Sequence, residues 1–196
     1  MFTRLESVNR IILSVGHGGL ADEKFDPGAT FGSFTENTES KQIATLLASK
    51  LTRNGLTTVL LPDSGLGKTI AHINAQYDAN TDWALEVLKD SVDKFVKTGM
   101  AKRTGAYFHP ASQDSKAISD KMAEVFKANG VNKTSWSRPD TVSNHKQLAF
   151  IRQPKMLSHI LECSFMQDDL STASDDFYAT IIANAICTCI GKTYIP

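Results

Sequence analysis

Apolar runs that stop at glycine or proline alternate with longer segments of helical period along this chain, and the alternation predicts an α/β fold. The first run, Ile11-Ile12-Leu13-Ser14-Val15, has the length of a buried strand and ends abruptly at Gly16-His17-Gly18-Gly19. The segment from Glu36 to Asn54 puts Ile43, Leu46, Leu47 and Leu51 on one face, and Gly55 follows where helices commonly stop. The chain is therefore read as one domain, residues 1–196 with a core at about 10–191, built on a mostly parallel six-stranded sheet with helices on both faces.

The remaining elements follow in order. A polar loop from Leu20 to Thr35 holds Asp26-Pro27-Gly28, and Thr35 precedes the first helix. Thr57 to Leu61 reads as the second strand, closed by Pro62, and a glycine-rich loop leads to a shorter helix at about Thr69 to Ala79. Trp83 to Leu88 reads as the third strand, and the Lys-rich stretch Lys89 to Arg103 as a solvated loop or short helix. Thr104 to His109 is the fourth strand, ended by Pro110. Ser115 to Asn129 turns Ile118, Met122, Val125 and Phe126 inward and stops at Gly130. Gln147 to Ile151 and Ser158 to Cys163 are read as the last two strands, before a final helix from about Asp175 to Ile190.

Composition removes several classes. Lys+Arg and Asp+Glu are 21 each, so no charge excess points to nucleic acid or an anionic membrane. No apolar run approaches the ~20 residues of a transmembrane helix, so membrane insertion is not expected. No signal-peptide core precedes the first strand. The three cysteines, Cys163, Cys187 and Cys189, fit neither a disulfide framework nor a four-thiolate metal site and read as small core residues in a reducing compartment.

Three polar positions fall where strands or helices open onto one edge of such a sheet: His17 after the first strand, Glu36 at the head of the first helix, and Glu162 within Leu161-Glu162-Cys163. Each has a plainer reading. His17 suits a solvated turn, Glu36 suits a helix start favoured by the macrodipole, and Glu162 suits a salt bridge with Arg152 or Lys155. Together, an imidazole and two carboxylates suit hydrolysis at a zinc ion.

The order of motifs carries a resemblance. The strand with Gly16-His17-Gly18-Gly19, then Gly28-Ala29, then Glu36 before Ile43-Ala44 resembles the zinc-dependent N-acetylmuramoyl-L-alanine amidases that hydrolyse peptidoglycan. Leu148-Ala149-Phe150-Ile151-Arg152 followed by Ile160-Leu161-Glu162-Cys163-Ser164-Phe165-Met166 is similar to that family's closing block, and Gly105-Ala106-Tyr107-Phe108 matches more loosely. The resemblance spans residues 10 to 190 or so. It implies that His17 and Glu36 are zinc ligands, that Glu162 is the catalytic carboxylate, and that the bond cut joins N-acetylmuramic acid to L-alanine of the stem peptide. With no signal peptide visible, such a hydrolase is expected to be made in the cytoplasm and to act on the wall after release or export by another system.

One position departs from the pattern. The family's third ligand is a histidine in a Ser/Glu-x-His-x-Asn segment; here the segment is Glu86-Val87-Leu88-Lys89-Asp90, and Leu88 holds the histidine's place. A catalytic zinc normally has three protein ligands, and an aliphatic side chain supplies none. His109 is the first candidate for a substitute, with Asp90 and His72 behind it; the alternatives are a module that binds wall fragments without cutting them, or an inactivated form of a working enzyme.

Other features read as structural. Pro62-Asp63-Ser64-Gly65-Leu66-Gly67-Lys68-Thr69 imitates a phosphate-binding loop, but Pro62 removes an N–H from the cradle, so a glycine-rich turn capped by Thr69 is the reading. Trp83 is expected to fill the sheet–helix interface, and Trp136, in a polar connection, to be available for substrate contact. His145 and His159 are expected to be solvated or hydrogen-bonded.

Overall fold

The first apolar run becomes β1 (Arg10–Val15), and its position beside two parallel neighbours makes it nearly all core. A computed structural model describes residues 7–21, 24–91, 104–131, 135–166 and 172–196. After β1 the polar loop folds into two miniature hairpins, β2 (Leu20–Ala21) with β3 (Lys24–Phe25) and β4 (Thr30–Phe31) with β5 (Phe34–Thr35). Thr35 then caps α1 (Glu36–Arg53), its hydroxyl accepting the Thr38 N–H at 3.2 Å. The chain continues through β6 (Thr57–Leu60), α2 (Leu66–Gln76), β7 (Asp82–Asp90), β8 (Thr104–Phe108) and α3 (Gln113–Ala128). It ends with β9 (Ser135–Pro139), α4 (Ala149–Arg152), β10 (Leu157–Phe165) and α5 (Thr172–Cys189).

The main sheet has six strands in the order β6-β1-β7-β10-β8-β9. The first four run parallel; β8 pairs antiparallel with β10, and β9 runs parallel to β8. Ile11, Leu13, Trp83, Leu85 and Leu161 pack against α1, α3 and α5 on one face. Ile12, Ala84 and Ile160 meet Ile70 and Ile73 of α2 and Phe150 and Ile151 of α4 on the other. Helices therefore cover both faces, as the periodicities predict. At about 25 cal/mol per Å² of apolar surface buried, the larger cluster is the main source of stability.

The fifth strand is not where the sequence places it. Residues 147–151 do not form a strand; Ala149–Arg152 is the short helix α4, and the strand is Ser135–Pro139 at the sheet's edge. The fully buried carboxylate of Asp140 explains the exchange. It accepts the Leu148 N–H (3.1 Å) and both Arg152 Nε–H (2.6 Å) and Nη2–H (2.7 Å), which fastens the ends of a turn of helix. Arg152 is thereby committed to Asp140 and not to Glu162. Trp136, expected in a polar connection open to substrate, is a strand residue whose ring stacks edge-on to Tyr107 (4.7 Å between centroids) and lies across Gly105.

The Lys-rich stretch also differs at its start. Lys89 belongs to β7 and is fully buried, its ammonium donating to Asp175 (2.8 Å) on α5 and Glu39 (3.4 Å) on α1. Residues 92–103, read as solvated loop or short helix, lie outside the described residues. Cys163, Cys187 and Cys189 are buried free thiols, as expected.

Candidate functional site

β1 ends where Gly16 donates its N–H to Val87 O, and the next residue, His17, turns out of the strand with φ +64°. Such a left-handed conformation is uncommon outside glycine. It is held because Gly18 N–H bonds Asp26 O (2.7 Å) and Asp26 N–H bonds Gly19 O (3.1 Å), closing the loop on itself. Asp26 completes the arrangement: its Oδ2 lies 2.9 Å from His17 Nδ1 and its Oδ1 accepts the Gly28 N–H at 3.0 Å. No sequence signal marked Asp26 as a partner of His17; only its Asp-Pro-Gly setting, which favours a tight turn, was legible.

Glu36 reaches the same point from α1. Its Oε2 accepts the Ala29 N–H (3.0 Å) and stands 3.3 Å from His17 Nε2. Gly28 makes the approach feasible. A Cβ there would lie 2.6 Å from His17 Cδ2 and 2.9 Å from Glu36 Cβ, at a φ of +69°. The glycine-rich imitation of a phosphate loop has a comparable explanation, since a Cβ on Gly19 would meet Gly65 N at 2.2 Å. Its Thr69 hydroxyl bonds Ser64 (3.0 Å), and the cap of α2 is Gly65.

Charge at this edge is unbalanced. His17 is exposed to its loop, and although burial alone would lower its pKa, the Asp26 hydrogen bond and the Glu36 charge raise it above the usual histidine value. Burial raises the Glu36 carboxyl, opposed by the Ala29 N–H and His17 and reinforced by Asp90. A residue that sequence reasoning did not single out has the largest shift among the acids: Glu86 of β7, 8% exposed, is pushed up to about 7 by burial, with His17 opposing and Glu36 adding. Glu86 was visible only as the first residue of the Glu-x-Leu segment.

Glu162 lies on the same edge two strands from β1. Val15, Val87 and Leu161 form one row across β1, β7 and β10, and Leu88 pairs with Glu162 in the next. Register-paired residues share a face, so Leu88 and Glu162 point to the same side. Leu88 also lies across Gly16, where a Cβ would fall 1.7 Å from Leu88 Cδ2. The structure thus joins His17 with Glu36 directly, sets Glu86 within their electrostatic reach, and puts an isobutyl group between that cluster and Glu162.

His109 is not brought to this cluster. Because β8 runs antiparallel to β10, Gly105 is the residue opposite Glu162, and His109 follows four residues on, about 13 Å along the strand direction. Its Nδ1 accepts the Ala111 N–H (3.1 Å) instead. His72 lies on α2, edge-on to Tyr77, and Asp90 acts on Glu36 through its charge. His159 is fully buried, accepting the Trp83 indole N–H at Nδ1 (3.0 Å) and donating from Nε2 to Ser115 O (2.9 Å), and burial pulls its pKa down to about 4.

A family comparison covers the sheet and its helices almost from end to end. The model of the N-acetylmuramoyl-L-alanine amidase family matches residues 11–192. The chain belongs to that family. No curated protein matches the sequence. Among solved structures, the fold is similar to the CwlD amidase of Clostridioides difficile, solved in complex with the GerS lipoprotein, at 17% identity and a TM-score of 0.74 over 93% of this chain and 98% of that one. It is similar to the amidase AmiC2 of Nostoc punctiforme (18% identity, TM-score 0.70, 93% and 97% covered). The catalytic domain of the CD27L endolysin, which targets Clostridia difficile, is a third such fold (15% identity, TM-score 0.66, 94% and 98% covered).

The amidase resemblance implies zinc, and the residues present do not make a site of that form. Among the described residues no group of three or more His, Cys, Asp or Glu side chains stands ready to hold a metal ion. His17 and Glu36 face each other, and Leu88, two residues after Glu86 on β7, offers no metal-binding atom. A three-ligand zinc centre of the family's kind therefore does not fit, and no chemical step is derived through one.

Proposed function

We propose that this amidase-family chain binds peptidoglycan fragments at the junction of N-acetylmuramic acid and L-alanine, along the carboxyl-end edge of its sheet, with hydrolysis there impaired by Leu88. One observation carries the reading: an aliphatic side chain, in register with Glu162 and lying over Gly16, where a metal-binding nitrogen is needed. The remaining edge still offers an imidazole, several carboxylates and the exposed apolar side chains of Leu20 and Phe25 on the adjoining hairpin, which suit a ligand carrying both amide and sugar groups. Among the described residues, no helix is long and apolar enough to cross a membrane.

A working zinc-dependent amidase is the second reading, favoured by the presence of His17, Glu36 and Glu162 together; in it Glu162 is the catalytic carboxylate. Purified sacculi separate the two. The unaltered chain is expected to sediment with sacculi while freeing stem peptide only at background, and Leu88→His is expected to bind zinc and raise the release. Release by the unaltered chain that disappears in Glu162→Gln would establish the second reading in its place.

A further inference from the structure

The outer half of the sheet presents an arginine that the reading above does not employ. Strand register sets Leu88 of β7, Glu162 of β10, Gly105 of β8 and Trp136 of β9 in one row. Register-paired residues share a face, so these four positions line one side of the sheet. Tyr107 and Arg138 pair in the same way two residues further along their strands, and therefore on that same side. One flank of Glu162 is the isobutyl group of Leu88. The other is Gly105, across which the Trp136 ring lies: a Cβ on Gly105 would fall 2.1 Å from Trp136 Cδ2 and 2.2 Å from Cε2.

The ring is a platform with two further contacts. Tyr107 meets it edge-on at 4.7 Å between centroids, and the Arg138 guanidinium lies over it, 4.9 Å from its centroid. Stacking holds a guanidinium by its face and leaves its N–H groups, which lie in its plane, directed outward. Arg152 is committed to Asp140, whereas the exposed Arg138 is in no ion pair or hydrogen bond among the described residues. A planar fork of donors oriented in this way matches a carboxylate through two parallel hydrogen bonds. We propose that Arg138, held by Trp136 and Tyr107, determines specificity at this edge by pairing with a free carboxylate of the stem peptide.

The spacing says where that carboxylate lies. Trp136 stands two strand spacings, about 10 Å, from Glu162. An extended peptide advances about 3.4 Å per residue, so the group recognised belongs to the second or third residue beyond an amide placed at Glu162. That separation exceeds the screening length of about 8 Å at physiological salt, so Glu162 does not cancel the attraction of Arg138 for an anion in contact with it. The proposal rests on the reading that peptidoglycan fragments bind along this edge, and it holds whether or not the amide is cut.

Calorimetric titration in chelator with a soluble N-acetylmuramyl tripeptide, its carboxylates free or amidated, tests it. The unaltered chain is expected to bind the free form about 5–10-fold more tightly than the amidated form. Arg138→Gln is expected to bind both alike, and Arg138→Lys, which keeps the charge without the fork, to fall between. Trp136→Leu is expected to lose affinity for the free form alone and Trp136→Phe to keep most of it, whereas a purely structural ring would weaken both ligands equally. Circular dichroism of each variant confirms that the fold is retained. Equal affinity of the unaltered chain for the two ligands, or a preference that survives in Arg138→Gln, overturns the proposal and leaves the peptidoglycan reading standing. Failure of both ligands and of sacculi to bind overturns the two together.

Discussion

A leucine at position 88 separates two acids, Glu86 on its own strand and Glu162 on the next, and covers Gly16. The leucine is legible in the sequence but its setting is not: only the register reveals that Leu88 and Glu162 are neighbours. Glu86 has a consequence for pH. Its folded pKa of about 7 lies above the ordinary carboxyl value of 4.5, so between these values the folded chain binds more protons than the unfolded one. Stability of the metal-free chain therefore falls as pH rises from about 4.5 to about 7, by on the order of 2–3 kcal/mol relative to Glu86→Gln. Paired urea titrations across that window check it, and parallel curves for the two proteins would count against it. His159 acts in the opposite sense in both proteins and cancels in the difference, because its depressed pKa costs stability as pH falls below about 6.5. Gly28 supplies a second prediction at this scale. Gly28→Ala must force apart His17 and Glu36 at a positive φ, and is expected to cost at least about 1–2 kcal/mol and to weaken sacculus binding.

Among the elements, β7 is the one whose two faces do different work. Glu86 and Leu88 face the site, while Lys89 turns to the other side and ties the strand to α1 and α5 through Glu39 and Asp175, its own N–H bonding Ser40 Oγ at 2.8 Å. Lys89→Met removes one cation from two buried carboxylates and is expected to destabilise the chain by about 3–5 kcal/mol in a denaturant titration. The bulge that ends β10 offers the reverse case. Ser164 adopts φ +59° between Glu162 and Phe165, and its buried hydroxyl has no partner among the described residues. Ser164→Gly is expected to raise the unfolding midpoint, worth about 1 kcal/mol. Periodicity located α1, α3 and α5 because their apolar stripes face one sheet. It misplaced the edge strand because β9 is Ser-Trp-Ser-Arg-Pro, too polar to stand out, whereas Leu148-Ala149-Phe150-Ile151 is apolar enough to pass for a strand while folding as helix.

At the scale of the whole molecule, one sheet supports two apolar clusters on opposite faces and gathers its acids at one edge. Cys163, Cys187 and Cys189 are buried in this core as free thiols, and burial raises the pKa of each. Thermal unfolding is accordingly expected at the same midpoint with and without reductant, and a midpoint that drops on reduction would indicate a disulfide. The sequence by itself determined the α/β class, the alternation of strands and helices, and the candidate set His17, Glu36 and Glu162, because apolar period and glycine stops are local properties of the chain. Only the tertiary structure decided which of those groups meet. Strand direction carried His109 to the far end of the sheet, loop closure delivered Asp26 to His17, and burial turned Glu86 into the most perturbed acid of the edge. Such outcomes depend on strand order and solvent exclusion between residues distant in the chain, and no local pattern encodes either.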